Sequence, residues 1–432
     1  MNSNITTLYI DLGASRVKWL ISNNIKDLSS GALENKYITN VNYVEIDLFD
    51  LLKKIKQLIF ENEKLYKISK VLFSSQIHGF VVSDLNNNFL TNYVSWKDQR
   101  FFNSSYKSYK SIYNDIENSF QEITGMSIKS GLPYFNSIQL INDLKLKECK
   151  ILSLPESILI YFGVKNPKVH STIAAGQGFY DINFKTYSAK LIDIHKSYSK
   201  CNLFLNEPSD ENNFFSVTIN SNQVDFSIGF ADHQCATLGS ENLPNDIYLN
   251  LGTGSQVSII NDSIKTCKNN YIQTRPYFKN KFLNCVTHIP SGRVLNSFLS
   301  IFGNNIWKKI ESYSCEDIDK SNLNFNLNIF EDSYSFENFG SITNIKESNF
   351  NIDNILKSLM RCYINQYYDL INSFQSEFEN SFDNIILSGG IPKKISVIEE
   401  LLKRKTNKKT IIKNLDYVVD DTIIGLKKIN NL

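Results

Sequence analysis

Cysteine is sparse and scattered. Cys149, Cys201, Cys235, Cys267, Cys285, Cys315 and Cys362 are odd in number, and no two form a Cys-x-x-Cys pair. That argues against a disulfide framework and against a thiolate zinc site, and the expectation is reduced thiols in a cytoplasmic protein. The five histidines include no His-Glu-x-x-His helix, which removes the zinc-peptidase pattern. Charge of one sign is missing too. The formal net charge is +2, and lysine doublets such as Lys53-Lys54 read as solvated surface, so neither nucleic acid nor an acidic membrane is an expected partner. No apolar run approaches the roughly 20 residues of a membrane span. Met1 to Leu8 is too short and polar to read as a signal peptide. The 432 residues therefore read as a globular chain of two or three domains.

What is present is a repeated plan. Leu8-Tyr9-Ile10 is an apolar, strand-forming run, followed by the polar turn Asp11 to Arg16 and a second run from Val17 to Ile21, which reads as a β-hairpin. Leu48, Leu51, Leu52, Ile55, Leu58 and Ile59 recur at helical spacing and lead to a strand at Lys70 to Phe73. Residues 101–200 are mixed, with a helical reading for Ile151 to Phe162 that breaks at Gly163. The polar stretch Asn206 to Asn222 is the expected join between domains. The plan then restarts: strand Ile247 to Leu251, turn Gly252 to Ser255, strand Gln256 to Ile260. An amphipathic helix from about Ile355 to Phe374, the strand Ile385 to Leu387, the turn Ser388-Gly389-Gly390 and a helix from Ile395 to Lys405 follow. Two hairpin-led α/β halves suggest a duplicated architecture.

Five segments carry chemistry. In Asp11 to Lys18, a glycine turn at Gly13, Ala14 and Ser15 can offer backbone N–H groups to phosphate, Asp11 can orient a hydrated Mg²⁺, and Lys18 can screen phosphate charge; an ordinary polar hairpin turn is the competing explanation. Gly252, Thr253 and Gly254 form a second such turn. Gly389 and Gly390, at a strand end before a helix, would let a flat base or ribose approach the backbone. Asp232, in Gly229 to Gln234, can take a proton from an attacking hydroxyl. Gln76, Ile77 and His78, with Trp96, Asp98 and Arg100, offer polar groups and an indole wall suited to a polyhydroxylated ligand, although His78 alone would more often be structural.

At these residues the chain resembles the FGGY carbohydrate kinases, within the actin-like ATPase superfamily. Asp11 to Lys18 is similar to the family's first phosphate motif, Gln76-Ile77-His78-Gly79 to the Gln-Met-His-Gly segment of xylulokinases, and Ser95 to Arg100 to their Trp-x-Asp-x-Arg motif. Gly229 to Gln234 resembles the segment holding the catalytic base, Gly252 to Gly254 the second phosphate motif, Ser388 to Gly390 the adenosine motif, and Asp421 to Gly425 the closing segment. Thr274 to Phe278 and Gly176 to Tyr180 resemble sedoheptulokinases. The family usually has threonine where Ala14 stands and a small residue at Arg16, and the chain is short for the family, which implies a trimmed second domain.

The resemblance implies an α/β fold of two actin-like (ribonuclease H-like) domains, about 1–225 and 226–432, with a catalytic cleft between them. It implies ATP and Mg²⁺ as cofactors and a small ketose, a pentulose or heptulose, as substrate. Asp232 would be the base and Asp11 the orienting ligand of Mg²⁺, with Asp232 a second candidate ligand. Gln76, Ile77, His78, Trp96, Asp98 and Arg100 would contact the sugar; Gly13, Ala14, Ser15, Lys18, Gly252, Thr253, Gly254, Gly389 and Gly390 would hold ATP. A small sugar is the expected partner of a monomer or homodimer. Two other classes share the fold: an actin- or chaperone-type ATPase without a sugar site, and a non-catalytic sugar sensor.

Overall fold

The computed structural model describes residues 5–40, 43–129, 131–240, 245–252, 254–264, 271–303, 306–329, 339–379, 382–413 and 419–431. Thr253 and Cys267 lie outside them. Contacts divide the chain into two compact units. The first comprises Met1–Gly239, Thr274–Phe282 and Leu415–Leu432, and the second Ser240–Gln273 and Leu283–Asn414.

The first unit is built on the opening hairpin. Strand β1, Thr7–Leu12, pairs antiparallel with β2, Arg16–Ser22, and β2 with β3, Asp27–Glu34. On its other side β1 runs parallel to strand Lys70–Ser75, with Asp11 opposite Ser74. Strand Asn222–Ser227 joins parallel to Lys70–Ser75, and Phe214–Ile219 forms the edge. Helix α1, Leu48–Tyr66, makes the parallel crossover. Asp47 caps it by accepting from the Asp50 N–H, and Lys67 in left-handed backbone ends it. The expected face, Leu48, Leu51, Leu52, Ile55, Leu58 and Ile59, is buried against Leu8, Ile10, Val71 and Phe73. Each such side chain removed from water contributes about 1.5–3 kcal/mol before chain entropy is subtracted.

The second unit repeats the order. Asp246–Leu251 pairs antiparallel with Ser255–Asn261 and parallel with Asn384–Ser388, which pairs parallel with Lys409–Ile412; Phe282–Ile289 lies beyond Ser255–Asn261. Helix Ile352–Phe378 buries Leu356, Leu359, Met360, Tyr363, Ile364, Tyr367, Leu370, Ile371 and Phe374 in that unit's core, a stripe at three- and four-residue spacing. Both units are thus α/β layers on one strand plan, the duplication inferred from the two glycine turns.

Two expectations shift. Ile151 and Leu152 close a strand, Glu148–Leu152, and the helix is Leu154–Tyr161, started by a Ser153–Glu156 capping box. The stretch 206–222 is not the join. It holds most of a hairpin, and a boundary at 225 would cut strand Asn222–Ser227 where Asp225 and Phe226 pair with Lys70 and Val71. The first unit runs on to Gly239 and includes Asp232. The polar residues that suggested a linker precede this edge strand: Pro208–Ser209 pairs parallel with Val169–His170, and Asp210 to Asn213 connect that pair to Phe214–Ile219.

Candidate active site

In the first unit, the pairing of β1 with β2 and Lys70–Ser75 sets Asp11 beside Lys18 and Ser74. The Ser74 hydroxyl donates to Asp11 Oδ1 at 2.7 Å. Asp11 is buried, and its carboxyl is pushed up to about 8 by desolvation first, then by the negative charges of Asp420 and Asp232; Ser74 and Lys18 oppose the shift. Lys18 is ion-paired with Asp420 across 402 positions of sequence. Asp420 also caps helix Asp421–Ile429, accepting from the N–H groups of Thr422 at 3.1 Å and Ile423 at 3.3 Å.

The turn after β1 is braced through its carbonyls. Asn35 Nδ2 donates to the Gly13 oxygen at 2.9 Å and to the Ala14 oxygen at 2.8 Å, and the Tyr37 hydroxyl donates to Ala14 at 2.6 Å. Gln76 Nε2 lies 3.5 Å from the Gly13 oxygen, while its buried Oε1 has no hydrogen-bond partner among the described residues. Ser15 is exposed.

Asp232 opens helix Asp232–Gly239, whose N-terminal dipole favours a negative group. Its Oδ1 accepts from the His233 N–H at 2.7 Å. Burial raises its carboxyl to about 6, the His233 N–H and the Arg275 charge pull it down, and Asp420 adds to the rise. This helix packs closely on Asp421–Ile429. A Cβ on Gly239 would come within 1.8 Å of the Asp421 oxygen, and one on Gly425 within 1.9 Å of the Cys235 oxygen. The two glycines therefore let the helix bearing Asp232 approach the helix capped by Asp420. The charge of Asp420 opposes the ionisation of both Asp11 and Asp232, and that of Asp232 opposes the ionisation of Asp11. Among the described residues, no group of three or more His, Cys, Asp or Glu side chains is placed to hold a metal by itself. The mutual repulsion around Asp11 still suits a hard cation that keeps its water and takes further oxygens from phosphate.

His78 has left-handed backbone, φ 64°, and its Nδ1 lies 2.8 Å from the Gly176 oxygen. Gly176 packs on Ile77, since an added Cβ would sit 3.0 Å from the Ile77 Cβ. Trp96 is half-buried with the Lys97 ammonium 5.6 Å from its ring centre. Asp98 is different. It is 0% exposed. Its Oδ1 accepts from Arg100 N at 2.9 Å and Nε at 3.0 Å, and its Oδ2 from Val44 N at 2.7 Å and Arg100 Nη2 at 2.8 Å. Arg100 Nη2 also reaches Glu45 at 2.6 Å. Asp98 and Arg100 thus form a clamp, with both Asp98 oxygens occupied by protein donors.

In the second unit, Gly252 and Gly254 follow strand Asp246–Leu251 while Gly389 and Gly390 follow its parallel neighbour, so the two turns lie side by side at the C-terminal ends of two central strands. The Gly252 oxygen accepts from Gly292 N at 3.0 Å. Gly389 has φ 92°, and a Cβ there would lie 2.5 Å from the Leu251 oxygen. Among the described residues, chain neighbours apart, no atom stands within 4 Å of a Cβ placed on Gly254 or Gly390.

With this geometry in place, the family assignment follows. Residues 6–203 match the family model for the N-terminal domain of the FGGY family of carbohydrate kinases. By that match, residues 6–203 are an FGGY N-terminal domain. The fold agrees: the chain is similar to a xylulose kinase from Lactobacillus acidophilus (17% identity, 98% of this chain and 88% of that one, TM-score 0.81). It is similar also to a gluconate kinase from the same organism (18%, 99% and 90%, 0.82) and to Plasmodium falciparum glycerol kinase with ADP (16%, 99% and 89%, 0.78). No curated sequence matches. The expected α/β class of two actin-like units and the expected class of enzyme, an ATP-dependent carbohydrate kinase, are those of this FGGY assignment. Among the described residues, no helix is long and apolar enough to cross a membrane.

Three groups at this FGGY site escaped the sequence reading. Ser74 needed the parallel register, Asp420 the pairing with Lys18, and Arg275 the return of residues 274–282 to the first unit. Only Arg275 left a trace, inside the segment Thr274 to Phe278.

Proposed function

We propose that this protein transfers the γ-phosphoryl group of ATP to a hydroxyl of a small ketose, a pentulose or heptulose of the xylulose or sedoheptulose kind. The observation that carries the reading is Asp232: a carboxyl poised near 6 at a helix N-terminus, beside Asp11 and Asp420, in the unit that also holds Gln76, Ile77 and His78. A base with that affinity is ionised at neutral pH yet basic enough to receive a hydroxyl proton as the O–P bond forms. Phosphoryl transfer asks mainly for alignment and charge neutralisation. Asp11 would orient hydrated Mg²⁺, which supplies charge neutralisation at the phosphates. Gly13, Ala14, Ser15, Gly252, Thr253 and Gly254 would cradle phosphates, and Gly389 with Gly390 would lie against adenosine. Lys18 serves through Asp420, its ion-pair partner.

Gln76, Ile77, His78 and Trp96 are the proposed sugar contacts. Asp98 and Arg100 are proposed to hold the Trp96 loop in shape, because their hydrogen-bonding groups are turned on each other and on Glu45 and Val44. The xylulose and gluconate kinases of the same fold mark the substrate range to be tested. Among the described residues, free cysteines that are buried at five positions and half-buried at Cys362 fit a cytoplasmic setting. The test is ADP release over pentuloses, heptuloses, gluconate and glycerol. Turnover that needs a ketose supports the proposal. ATP hydrolysis equal with and without every sugar would favour an actin-type ATPase, and sugar binding without turnover would favour a sensor.

A further inference from the structure

Two segments with no role in the reading above, Gly176–Tyr180 and Thr274–Phe278, meet at His78. The Gly176 carbonyl can only accept, so the His78 Nδ1 at 2.8 Å carries the proton and Nε2 keeps its lone pair. Arg275 Nη2 stands 3.5 Å from that lone pair. The charges acting on His78 are those of Arg275 and Lys129; with burial they hold its basicity down to about 3, so the ring is neutral. His78 therefore faces Arg275 as an acceptor.

The segment carrying Arg275 is fixed at several points. Thr274 N donates to the Gly125 oxygen at 2.7 Å, Gln234 Nε2 donates to the Pro276 oxygen at 3.1 Å, and the Phe278 ring packs on His170 and Phe230. Lys185 Nζ reaches Asn280 at 2.7 Å. The Arg275 guanidinium is 4% exposed, and its charge acts on Asp232 and His233 as well as on His78. Its planar fork can donate to two aligned oxygens at once.

We propose that Arg275 is a specificity-determining residue of the sugar site, aimed by His78, and that it donates to the carbonyl end of the ketose. The inference rests on the ketose-kinase reading. A guanidinium only donates, a carbonyl oxygen only accepts, and a hydroxyl does both. Asp232 draws in the hydroxyl whose proton it takes, while Arg275 rewards an oxygen that accepts. Together they favour a ketose over the alditol that has a hydroxyl in place of the carbonyl.

The test compares kcat/KM for D-xylulose, D-ribulose and sedoheptulose with that for their alditols, in the wild type, Arg275→Met and Arg275→Lys. Loss of a charged hydrogen bond predicts a fall of about 10–100-fold for the ketose, mostly in KM, and a smaller fall for the alditol. Arg275→Lys, which keeps charge but not the fork, should fall between and decides the matter if Arg275→Met does not fold. Nitrogen NMR of His78 should show the neutral Nδ1–H form, with the Nε2 signal moving in Arg275→Met while Nδ1 does not; a merely structural role would leave that signal unchanged. An unchanged ketose-to-alditol ratio, or a His78 protonated on Nε2, overturns the proposal. If the wild type uses only gluconate or glycerol, the ketose reading falls, and a loss under threefold on that substrate overturns the role of Arg275 as well. With no turnover at all the kinase reading fails, and the His78 spectrum alone decides whether the two residues are coupled.

Discussion

Replacing Asp232 with asparagine should remove activity and stabilise the protein in one step. Asparagine keeps the size of the side chain and can still accept from the His233 N–H, but it cannot take a proton as a carboxylate does. General-base loss predicts a fall of about 10²–10⁴-fold in kcat. The stability change follows from the same environment. The Asp232 carboxyl rises from 3.8 to about 6 in the folded protein, so folding penalises its ionised form. The penalty is absent below the unfolded value, grows as pH rises from about 4 to 6, and is constant above that. A rise of that size corresponds to about 3 kcal/mol. The side chain is partly exposed, which brings the expectation nearer to about 1–2 kcal/mol. Thermal unfolding at pH 8 should therefore show Asp232→Asn melting about 1–3 °C above the wild type, with the gap closing at pH 4. ADP release measures the rate, and calorimetric titration shows whether sugar affinity survives. A near-normal rate in Asp232→Asn, with His233→Asn the more damaging, would refute the assignment of the base. A variant less stable than wild type at pH 8 would refute the account of its surroundings.

Other outcomes are equally direct. Asp11, at about 8, should be largely protonated at pH 7 without Mg²⁺ and ATP; binding them should release close to one proton, seen as a buffer-dependent heat that vanishes in Asp11→Asn. Breaking the buried clamp by Asp98→Ala should cost about 3–5 kcal/mol in unfolding measurements, because Arg100 loses its main partner and keeps only the Glu45 ion pair and the Tyr43 ring among the described residues. Gly389→Ala should weaken ATP binding and lower the melting temperature, since φ 92° and the Leu251 oxygen both reject a Cβ. Ala14→Thr should fold normally and raise activity if its hydroxyl meets phosphate, by about 1.5–3 kcal/mol at best; loss of nucleotide binding would show that this turn has another geometry.

The parts legible in the sequence were those written in local pattern. The β1–β2 hairpin announces itself as two apolar runs around Asp11 to Arg16, and α1 as six apolar residues on one face. The restart at Ile247 is legible for the same reason. What stayed hidden depends on partners far away in sequence. Asp98 and Arg100 have the composition of a ligand site, and only Glu45 and Val44, more than 50 positions earlier, show them closed on each other. Lys18 looked like a phosphate ligand because nothing near it in sequence could claim its charge. Asp420 stood one residue ahead of the segment noticed for its resemblance.

The chain passes between its two units four times, at 239/240, 273/274, 282/283 and 414/415. This has consequences for synthesis and for evolution by recombination. A ribosome that has released residues 1–239 has made most of the first unit but neither Arg275 nor Asp420. Lys18 then lacks Asp420, its ion-pair partner, and His78 has no guanidinium to face. All strands of the opening sheet are present by then, but the helix that Asp420 caps is added only after the whole second unit has been made. A fragment ending at Gly239 should accordingly expose a charged, half-closed surface and be readily proteolysed. For the same reason the first unit cannot be exchanged between relatives as one continuous stretch. A graft that took residues 1–239 alone would separate Asp232 from two charges that tune it, so the gene is constrained to inherit the two units together.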